Sequence, residues 1–384
     1  MSFVLTDNDF IYETKRKIQE NAGVFGRVKL ELQYMADLAM MEEPLSITQI
    51  PSPAASGNPH DYFSEGPYWW PDPQNPDGPY IRRDGEHNPD RFDGHRIMLE
   101  KMCKNVLVLA QAGYFLDKPR YTRKAVKMIK VWFLNRTTRM NPNLEYGQAI
   151  RGVCDGRGIG IIETKVLISV VHAAGFIAES GKYDKEIDGL KEWFAKYLKW
   201  LNESEKGIEE REWFNNHSIW WTAQALDFAA FTDNKKLMVE CYDRFKEKVV
   251  GKQLNDDSAF EDELHRTRSY SYYLFSLSAC AVICEIAHTY GVDLWNYKSP
   301  DGKSLKGAFE FMFPYFKNMF GWEYQQISIN ECLNESLAFQ LASLRYKIPE
   351  YEKPNGLRRK DKYLVNNISD VGSPVLLPGF SCYE

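Results

Sequence analysis

Residues 213–221, WFNNHSIWW, place two amides and an imidazole inside an aromatic frame. Buried polar groups need hydrogen-bond partners, and on a helix that lines a cleft a ligand can supply them. We therefore predict that Asn215, Asn216 and His217 contact a ligand. The alternative is that they serve only the fold, as most single histidines on an aromatic helix do.

Residues 263–277, ELHRTRSYSYYLFSL, combine guanidinium groups with phenols. Arg266 and Arg268 precede Tyr270, Tyr272 and Tyr273 at close spacing. Cationic neighbours favour the ionised phenolate, which can accept a proton. The stretch thus offers acid–base chemistry, although a solvated helix start followed by core tyrosines would look similar.

Further arginines lie in irregular segments: Arg82, Arg83, Arg151 and Arg157. Arginine binds carboxylates through two parallel hydrogen bonds. Singly, each of these residues is typical of a surface. Together with neighbouring tyrosines and tryptophans they indicate a groove for an acidic sugar.

Composition narrows the function classes. The 384 residues carry a net charge of −5, which argues against a nucleic-acid partner. Aromatic residues make up 14%, which suits stacking on sugar rings as well as plain core filling. The seven cysteines form no CxxC pair and no HExxH motif occurs, so we predict neither a metal site nor a cofactor.

Most of the chain has apolar residues at helical spacing, and strand-like alternation is scarce. We predict one all-α domain over residues 1–384, an (α/α) toroid of helical hairpins, with a helical solenoid as the alternative. The predicted helices are 8–20, 26–41, 95–113, 119–134, 160–179, 184–203, 213–231, 235–249, 268–290, 304–318 and 332–346.

Irregular segments interrupt the helices. Residues 44–93 hold more than half of the 18 prolines, so they cannot form a long helix. Their many aromatic residues argue against disorder, and we predict an ordered loop over a cleft. Residues 141–162 form a second irregular stretch whose GRGIG lacks the dinucleotide-binding spacing. Residues 350–384 are predicted as an irregular tail along the surface.

Location is less determined. The start, MSFVLTDNDF, does not resemble a signal peptide, and no apolar run looks long enough to span a bilayer. A cytoplasmic protein and an exported protein whose signal has been removed both fit.

Four blocks resemble, in this order, the alginate lyase superfamily of α/α-toroid polysaccharide lyases. They are HDYFSEGPYWWPDPQNPDGPYIRRDGEHNP, LEYGQAIRG with GRGIGII, NNHSIWW, and ELHRTRSYSY. The resemblance covers roughly residues 40–350. It is strongest to polysaccharide lyase family 38 and more distant to family 5.

The resemblance implies β-elimination on 1,4-linked polyuronates, without a cofactor, in the periplasm or outside the cell. It assigns Asn216 and His217 to the substrate carboxylate, Arg266 to the same region, and Tyr272 to acid and often base catalysis. At the longer family 5 spacing the tyrosine would be Tyr273. The substrate-binding residues predicted alongside are Asn215, Tyr146, Gln148, Trp69, Trp70, Arg82, Arg157, Arg268 and Tyr273.

Stereochemistry limits the substrate. In β-D-mannuronate and β-D-glucuronate, H5 and O4 lie on one ring face, so one tyrosine can serve both proton steps. In α-L-guluronate they lie on opposite faces, and His217 is the candidate base. The catalytic residues alone therefore leave alginate and glucuronan both open.

Two other function classes fit the same composition. A glycoside hydrolase would need two carboxylates in a cleft. The candidates are Asp61, Glu145, Asp155, Glu261 and Glu263. The other class is a protein that binds acidic glycans without catalysis. No sequence feature indicates an oligomeric state.

Overall fold

The structure, a computed structural model, describes residues 3–6, 8–23, 25–327 and 337–352. Its contacts divide the chain into two compact units. One unit comprises residues 1–35 and 214–384, and the other comprises residues 36–213. We call them the tyrosine unit and the tryptophan unit, after Tyr272 and Trp69. The single domain over residues 1–384 stays a prediction.

Helices dominate both units, which confirms the predicted all-α class. They are α1 (Asn8–Gln19), α2 (Phe25–Met41), α3 (Gly94–Phe115), α4 (Pro119–Ile129), α5 (Ile168–Ala178), α6 (Asp184–Glu203), α7 (Glu205–Arg211), α8 (Asn216–Phe231), α9 (Lys235–Arg244), α10 (Glu261–Leu264), α11 (Ser269–Thr289), α12 (Leu305–Lys317) and α13 (Leu337–Tyr346).

Within the tyrosine unit, α8 packs on α9 and α11, and α11 packs on α13. Every residue of α8 except His217 is buried, and its alanines let neighbouring helices approach closely. The last turns of α11 are also buried almost throughout. These two helices form the core of the unit, and their N-terminal ends carry the NNH and RTRSYSY motifs.

Within the tryptophan unit, α3 packs on α4 and α5, and α7 packs on a 3₁₀ stretch over Gly158–Leu167. Two small sheets accompany the helices. Strand β1 (Phe63–Glu65) pairs in parallel with β4 (Tyr146–Ala149), and β2 (Trp69–Trp70) pairs antiparallel with β3 (Ile81–Arg82).

Residues 44–93 are ordered, as expected, and three of these strands lie in them. Tyr62 and Phe63 are buried, which anchors the segment in the tryptophan unit. Its role as a cover over a cleft stays a prediction. The tail after residue 352 and the start of the helix predicted at 332–346 lie outside the described residues.

Several predicted helices are not α-helical throughout. The segment 119–134 ends in a π-helical turn, Lys130–Leu134, and 235–249 continues into a second π-helix, Phe245–Gln253. The segment 160–179 begins as the 3₁₀ stretch. The helix predicted to start at 213 begins at Asn216. These stretches span only one to three turns, so the apolar pattern is too short to separate one helix type from another.

Contrary to the expectation from the sequence, two segments, Gly158–Ala178 and Ser269–Thr289, are long and apolar enough to cross a membrane. The structure buries 83% of the apolar window in the first and 72% in the second. Burial in the core accounts for their apolar composition.

Candidate active site

The NNH motif forms the N-terminus of α8 in the tyrosine unit. Asn215 is the cap residue, with extended backbone, and its side-chain oxygen accepts the backbone N–H of His217 at 3.3 Å. A capping asparagine satisfies an N–H group that the helix itself cannot. The side chain predicted to bind substrate therefore starts the helix and sets the positions of Asn216 and His217.

Asn216 is held by a buried carboxylate. Glu263, in the short helix α10, is 1% exposed, and its Oε1 accepts the backbone N–H of Asn216 at 2.7 Å and the side-chain Nδ2 at 2.8 Å. Ser276 donates to the same oxygen at 3.3 Å. An amide nitrogen carries two hydrogens, so the bond to Glu263 uses only one of the two on Asn216 Nδ2.

Burial raises the pKa of Glu263, while the Asn216 donors and the nearby Arg266 oppose that rise. The carboxyl is thus less readily ionised than a glutamate in water. Either protonation state retains an oxygen that can accept the two Asn216 hydrogens.

Arg266 lies between Glu263 and Tyr272. Its Nη1 is 4.0 Å from Glu263 Oε2, and its Cζ lies 3.9 Å from the centroid of the Tyr272 ring. Such cation–π contacts hold a guanidinium and a ring face to face. Asn216, Glu263, Arg266 and Tyr272 therefore form one connected group, and the half-buried His217 follows Asn216 on α8.

The structure separates the two candidate tyrosines. Tyr273 is fully buried, stacks on Phe311, and donates its hydroxyl to the carbonyl of Ala308 at 3.1 Å. Burial raises its pKa well above the usual range. Seven helical residues from Arg266 would bring Tyr273 close to the same helix face, but Arg266 precedes α11, so helical spacing does not relate this pair.

The other tyrosine-unit candidate, Arg268, is the cap residue of α11. Its carbonyl accepts the N–H of Tyr272 at 3.0 Å, and its backbone pairs with Gln326 in an isolated bridge. The observed contacts give Arg268 a part in positioning the first turn of α11.

In the tryptophan unit, Arg157 clamps Gln148. The guanidinium donates from Nε to the carbonyl of Gln148 and from Nη2 to its Oε1, both at 2.9 Å. Burial lowers the pKa of Arg157. An arginine side chain nevertheless stays positively charged in proteins. Gln148 has φ of 50°, a left-handed conformation that is uncommon outside glycine. Such strain is often found at functional sites.

Trp69 lies beside this clamp, with the Arg157 Cζ 5.7 Å from its ring centroid. Gly66 makes that approach possible. A Cβ atom there would lie 2.7 Å from Trp69 and 2.9 Å from Arg157 Nη2. The glycine of the EGPYWW segment is therefore required by the position of the tryptophan and arginine.

A second buried carboxylate supports Gln148. Glu163 accepts the hydroxyls of Tyr62 at 2.8 Å and Ser64 at 2.6 Å, and Ser64 Oγ accepts the N–H of Gln148 at 2.8 Å. Burial raises the pKa of Glu163. Glu163 is not among the residues predicted from the sequence, although an acidic side chain in the apolar run GIGIIETKVL is a visible signal.

Trp70 and Arg82 lie on the β2–β3 hairpin. Arg82 pairs across the hairpin with Trp69 and forms a salt bridge with Asp84 at 2.6 Å on the exposed surface. Arg83 stacks over Trp70 at 4.9 Å. The hairpin thus presents arginines and indoles together.

Tyr146 contacts a small apolar cluster, and Arg151 forms an ion pair. Tyr146 packs against the small core cluster of Ala54, Phe63 and Ala149. Arg151 binds Glu65 through two nitrogens, at 2.5 and 3.2 Å. The guanidinium of Arg151, which was grouped with the arginines of a predicted acidic-sugar groove, is therefore already paired with a carboxylate of the protein.

A family model for alginate lyases matches residues 46–322, well over half of the chain. The chain belongs to the alginate lyase family. It is accordingly a polysaccharide lyase, as its motifs predicted. The distinction between families 38 and 5 stays a prediction.

Solved structures agree with this assignment. An alginate lyase from Bacteroides ovatus is 35% identical, with a TM-score of 0.85 over 91% of this chain and 93% of that one. Alginate lyase A1-III from Sphingomonas species A1 is 14% identical over 82% of this chain and 85% of that one, and its TM-score of 0.55 shows a shared fold alone. Among curated proteins, none matches the chain.

Carboxylates that a glycoside hydrolase could have used for catalysis are hydrogen-bonded to donors within this protein. Asp61 accepts from Ser56 and Asn141, and Glu145 accepts from Trp200 and Lys206. Glu263 accepts from Asn216, so these three carboxylates bind hydrogen-bond donors. Within the described ranges, no group of three His, Cys, Asp or Glu side chains is placed to hold a metal ion.

Proposed function

We propose that this enzyme cleaves alginate-type 1,4-linked polyuronates by β-elimination, with Tyr272 as the proton carrier. The family assignment supports the reaction, and the Bacteroides ovatus relative is described as an alginate lyase. The single observation that carries the assignment of roles is the stacking of Arg266 on Tyr272 beside the Glu263-bound Asn216.

The chemistry explains the need for these residue types. The C5 proton of a uronate is weakly acidic because the adjacent carboxylate is already negative. Its removal creates a dianion, so the enzyme must stabilise new charge on that carboxylate. Asn216, His217 and Arg266 would donate hydrogen bonds to it. Preorganised donors are usually the largest single contribution, and one of them is worth about 2.7–4 kcal/mol.

Tyr272 then completes the elimination. In this proposal Tyr272 starts as the phenolate, which the neighbouring Arg266 guanidinium favours. Its oxygen takes the C5 proton, the electron pair forms the C4–C5 double bond, and the C4–O4 bond breaks. The same phenol returns the proton to the leaving O4. One residue can act twice only where H5 and O4 share a ring face, which holds for mannuronate and glucuronate.

The tryptophan unit supplies a second substrate-binding group in this proposal. Trp69 and Trp70 offer ring faces to the apolar faces of sugars, while Arg157, Arg82 and Gln148 offer hydrogen bonds to carboxylates and hydroxyls. The clamp on Gln148 fixes its side chain before substrate arrives.

The test is incubation with polymannuronate, glucuronan and polyguluronate, followed by ultraviolet absorbance of unsaturated uronides and by reducing-end assay. We expect absorbance and reducing ends to rise together on polymannuronate or glucuronan, with little reaction on polyguluronate. Tyr272→Phe prepared identically controls for contaminating lyases. Reducing ends without absorbance on every polymer would refute β-elimination, and fastest cleavage of polyguluronate would refute the single-tyrosine mechanism.

A further inference from the structure

The tryptophan unit contains a pocket of about 410 Å³ whose walls include none of the residues assigned to catalysis or substrate binding above. We call it the α6 pocket. Ligand pockets commonly measure about 300–1,000 Å³, so this one is large enough for a sugar-sized ligand.

One wall is the π-helical turn that follows α4. Lys130, Phe133 and Leu134 of this turn line the pocket. Such π-turns are rare and are often found at functional sites.

A second wall is one face of α6. Six of its residues line the pocket at helical spacing: Lys185, Glu186, Gly189, Glu192, Trp193 and Lys196. Glycine in the middle of a helix costs about 0.5–1 kcal/mol relative to alanine. At Gly189 a Cβ atom would lie 3.2 Å from Leu134 Cδ2. The glycine therefore lets α6 approach the π-helical turn closely without a side chain filling the space between them.

The floor is apolar. Phe133 and Trp193 are buried and meet edge to face, with ring centroids 4.9 Å apart. The indole N–H of Trp193 donates to the carbonyl of Met140 at 2.9 Å. That hydrogen bond satisfies the indole N–H, and only 4% of Trp193 is exposed, so the residue closes the base of the pocket.

The rim carries four cations and two carboxylates. Lys130, Arg139, Lys185 and Lys196 outnumber Glu186 and Glu192 by two charges. One of these cations is partly neutralised, because Lys130 Nζ lies 3.4 Å from Glu186 Oε1. The remaining excess favours an anion of low charge density.

We propose that the α6 pocket binds an acidic oligosaccharide, namely a segment of the polyuronate that the enzyme cleaves elsewhere. This inference rests on the proposed function for the identity of the polymer. Lysines and an arginine would pair with carboxylates, the two glutamates would accept sugar hydroxyls, and the apolar side chain of Leu134 would contact ring C–H groups. A polyphosphate fits less well, since two carboxylates would oppose its dense charge.

A second binding site on one polymer raises affinity for long chains without changing the reacting centre. The consequence is a length dependence. Polymers that occupy both sites should bind more tightly than oligosaccharides that occupy only one.

The experiment compares Lys185→Gln/Lys196→Gln with the matched control Lys182→Gln/Lys199→Gln, which removes two lysines outside the pocket. Binding of polymannuronate is measured by calorimetry with each pair in the Tyr272→Phe background, so that the polymer stays intact. We expect a Kd about three- to tenfold higher for the pocket pair, because each exposed charge contact contributes modestly. The control pair should match the parent protein.

Cleavage of tetramannuronate is measured with each lysine pair in the otherwise wild-type enzyme, where kcat/KM should be unchanged. Equal Kd values for the two lysine pairs would refute polyuronate binding in the α6 pocket. A pocket pair that weakens binding to a neutral β-1,4-glucan as much as binding to polymannuronate would refute it too. If the pocket pair weakens polymer binding but the wild-type enzyme forms no unsaturated uronide, β-elimination is refuted while polymer binding in the α6 pocket is supported.

Discussion

Glu263 offers the sharpest test of how the candidate site is positioned. Its Oε1 accepts two hydrogens from Asn216, at 2.7 and 2.8 Å, and its side chain is 1% exposed. If Glu263 acts by holding Asn216, the accepting oxygen matters and the negative charge does not. Glu263→Gln and Glu263→Ala separate these two properties.

Glu263→Gln retains an oxygen of the same reach for both hydrogens of Asn216. Its amide group would take the position of Oε2, which lies 4.0 Å from Arg266 Nη1, so two donors would face each other. We expect kcat to fall by no more than about tenfold, equivalent to about 1.4 kcal/mol.

Glu263→Ala removes the acceptor and leaves two buried hydrogens unsatisfied, at about 1–3 kcal/mol each. The protein should be clearly destabilised, which denaturant unfolding will measure. With Asn216 no longer fixed, the loss of one preorganised donor predicts a kcat about 100- to 1,000-fold lower. KM should change less, because the donor acts mainly on charge that develops in the transition state.

The matched control is Glu261→Gln, an exposed glutamate two positions earlier in α10. It should leave kcat and stability near wild type. If Glu263→Ala unfolds more easily yet keeps wild-type kcat in its folded form, Glu263 serves the fold alone and the positioning argument is wrong.

Tyr272→Phe should abolish turnover while polymer affinity persists, whereas Tyr273→Phe should stay active and lose about 0.5–1.5 kcal/mol of stability in denaturant unfolding; activity of both variants would refute the tyrosine mechanism. KM for polymannuronate should rise with salt, because screening weakens contacts to a polyanion, and a constant KM would argue for a neutral glycan. His217→Asn should slow all substrates similarly if His217 only binds the carboxylate, and a selective loss on polyguluronate would make it a base. Burial raises the pKa of Asp227 well above its usual range, so folding stability should fall as pH rises above about 3.9, by about 1.4 kcal/mol per pH unit up to the folded pKa. Asp227→Asn should remove this part of the slope in pH-dependent unfolding, and an unchanged slope would refute it.

Helical periodicity predicted the fold well because most helices bury one side or all of their surface. It could not predict where α-helix passes into π-helix or 3₁₀ helix. At Lys130–Leu134 the apolar residues Val131, Trp132 and Phe133 continue the pattern of α4, so the change in hydrogen bonding leaves little trace in the sequence. The α6 pocket depends on that turn, and so it was not predicted.

Motifs located candidate residues for the site but not their supports. Asn216 and Glu263 are 47 positions apart, and nothing in their spacing reveals that they meet. Tyr272 and Tyr273 are adjacent, and their spacing from Arg266 does not reveal that Tyr273 is buried while Tyr272 stacks on the guanidinium. The positive φ of Gln148 is likewise a tertiary feature, since a glutamine gives no local signal for it.

The two units use a similar device, a buried glutamate that holds a polar motif in place. Glu263 fixes Asn216, and Glu163 fixes Gln148 through Ser64. An ionised carboxylate close to a polyuronate site would repel the substrate. Burial raises the pKa of both glutamates, which favours the neutral form while keeping an oxygen that accepts hydrogen bonds. In the proposed reaction, a Glu263 that is less readily ionised competes less with the substrate carboxylate for Arg266, the cation assigned to the charge that develops during β-elimination.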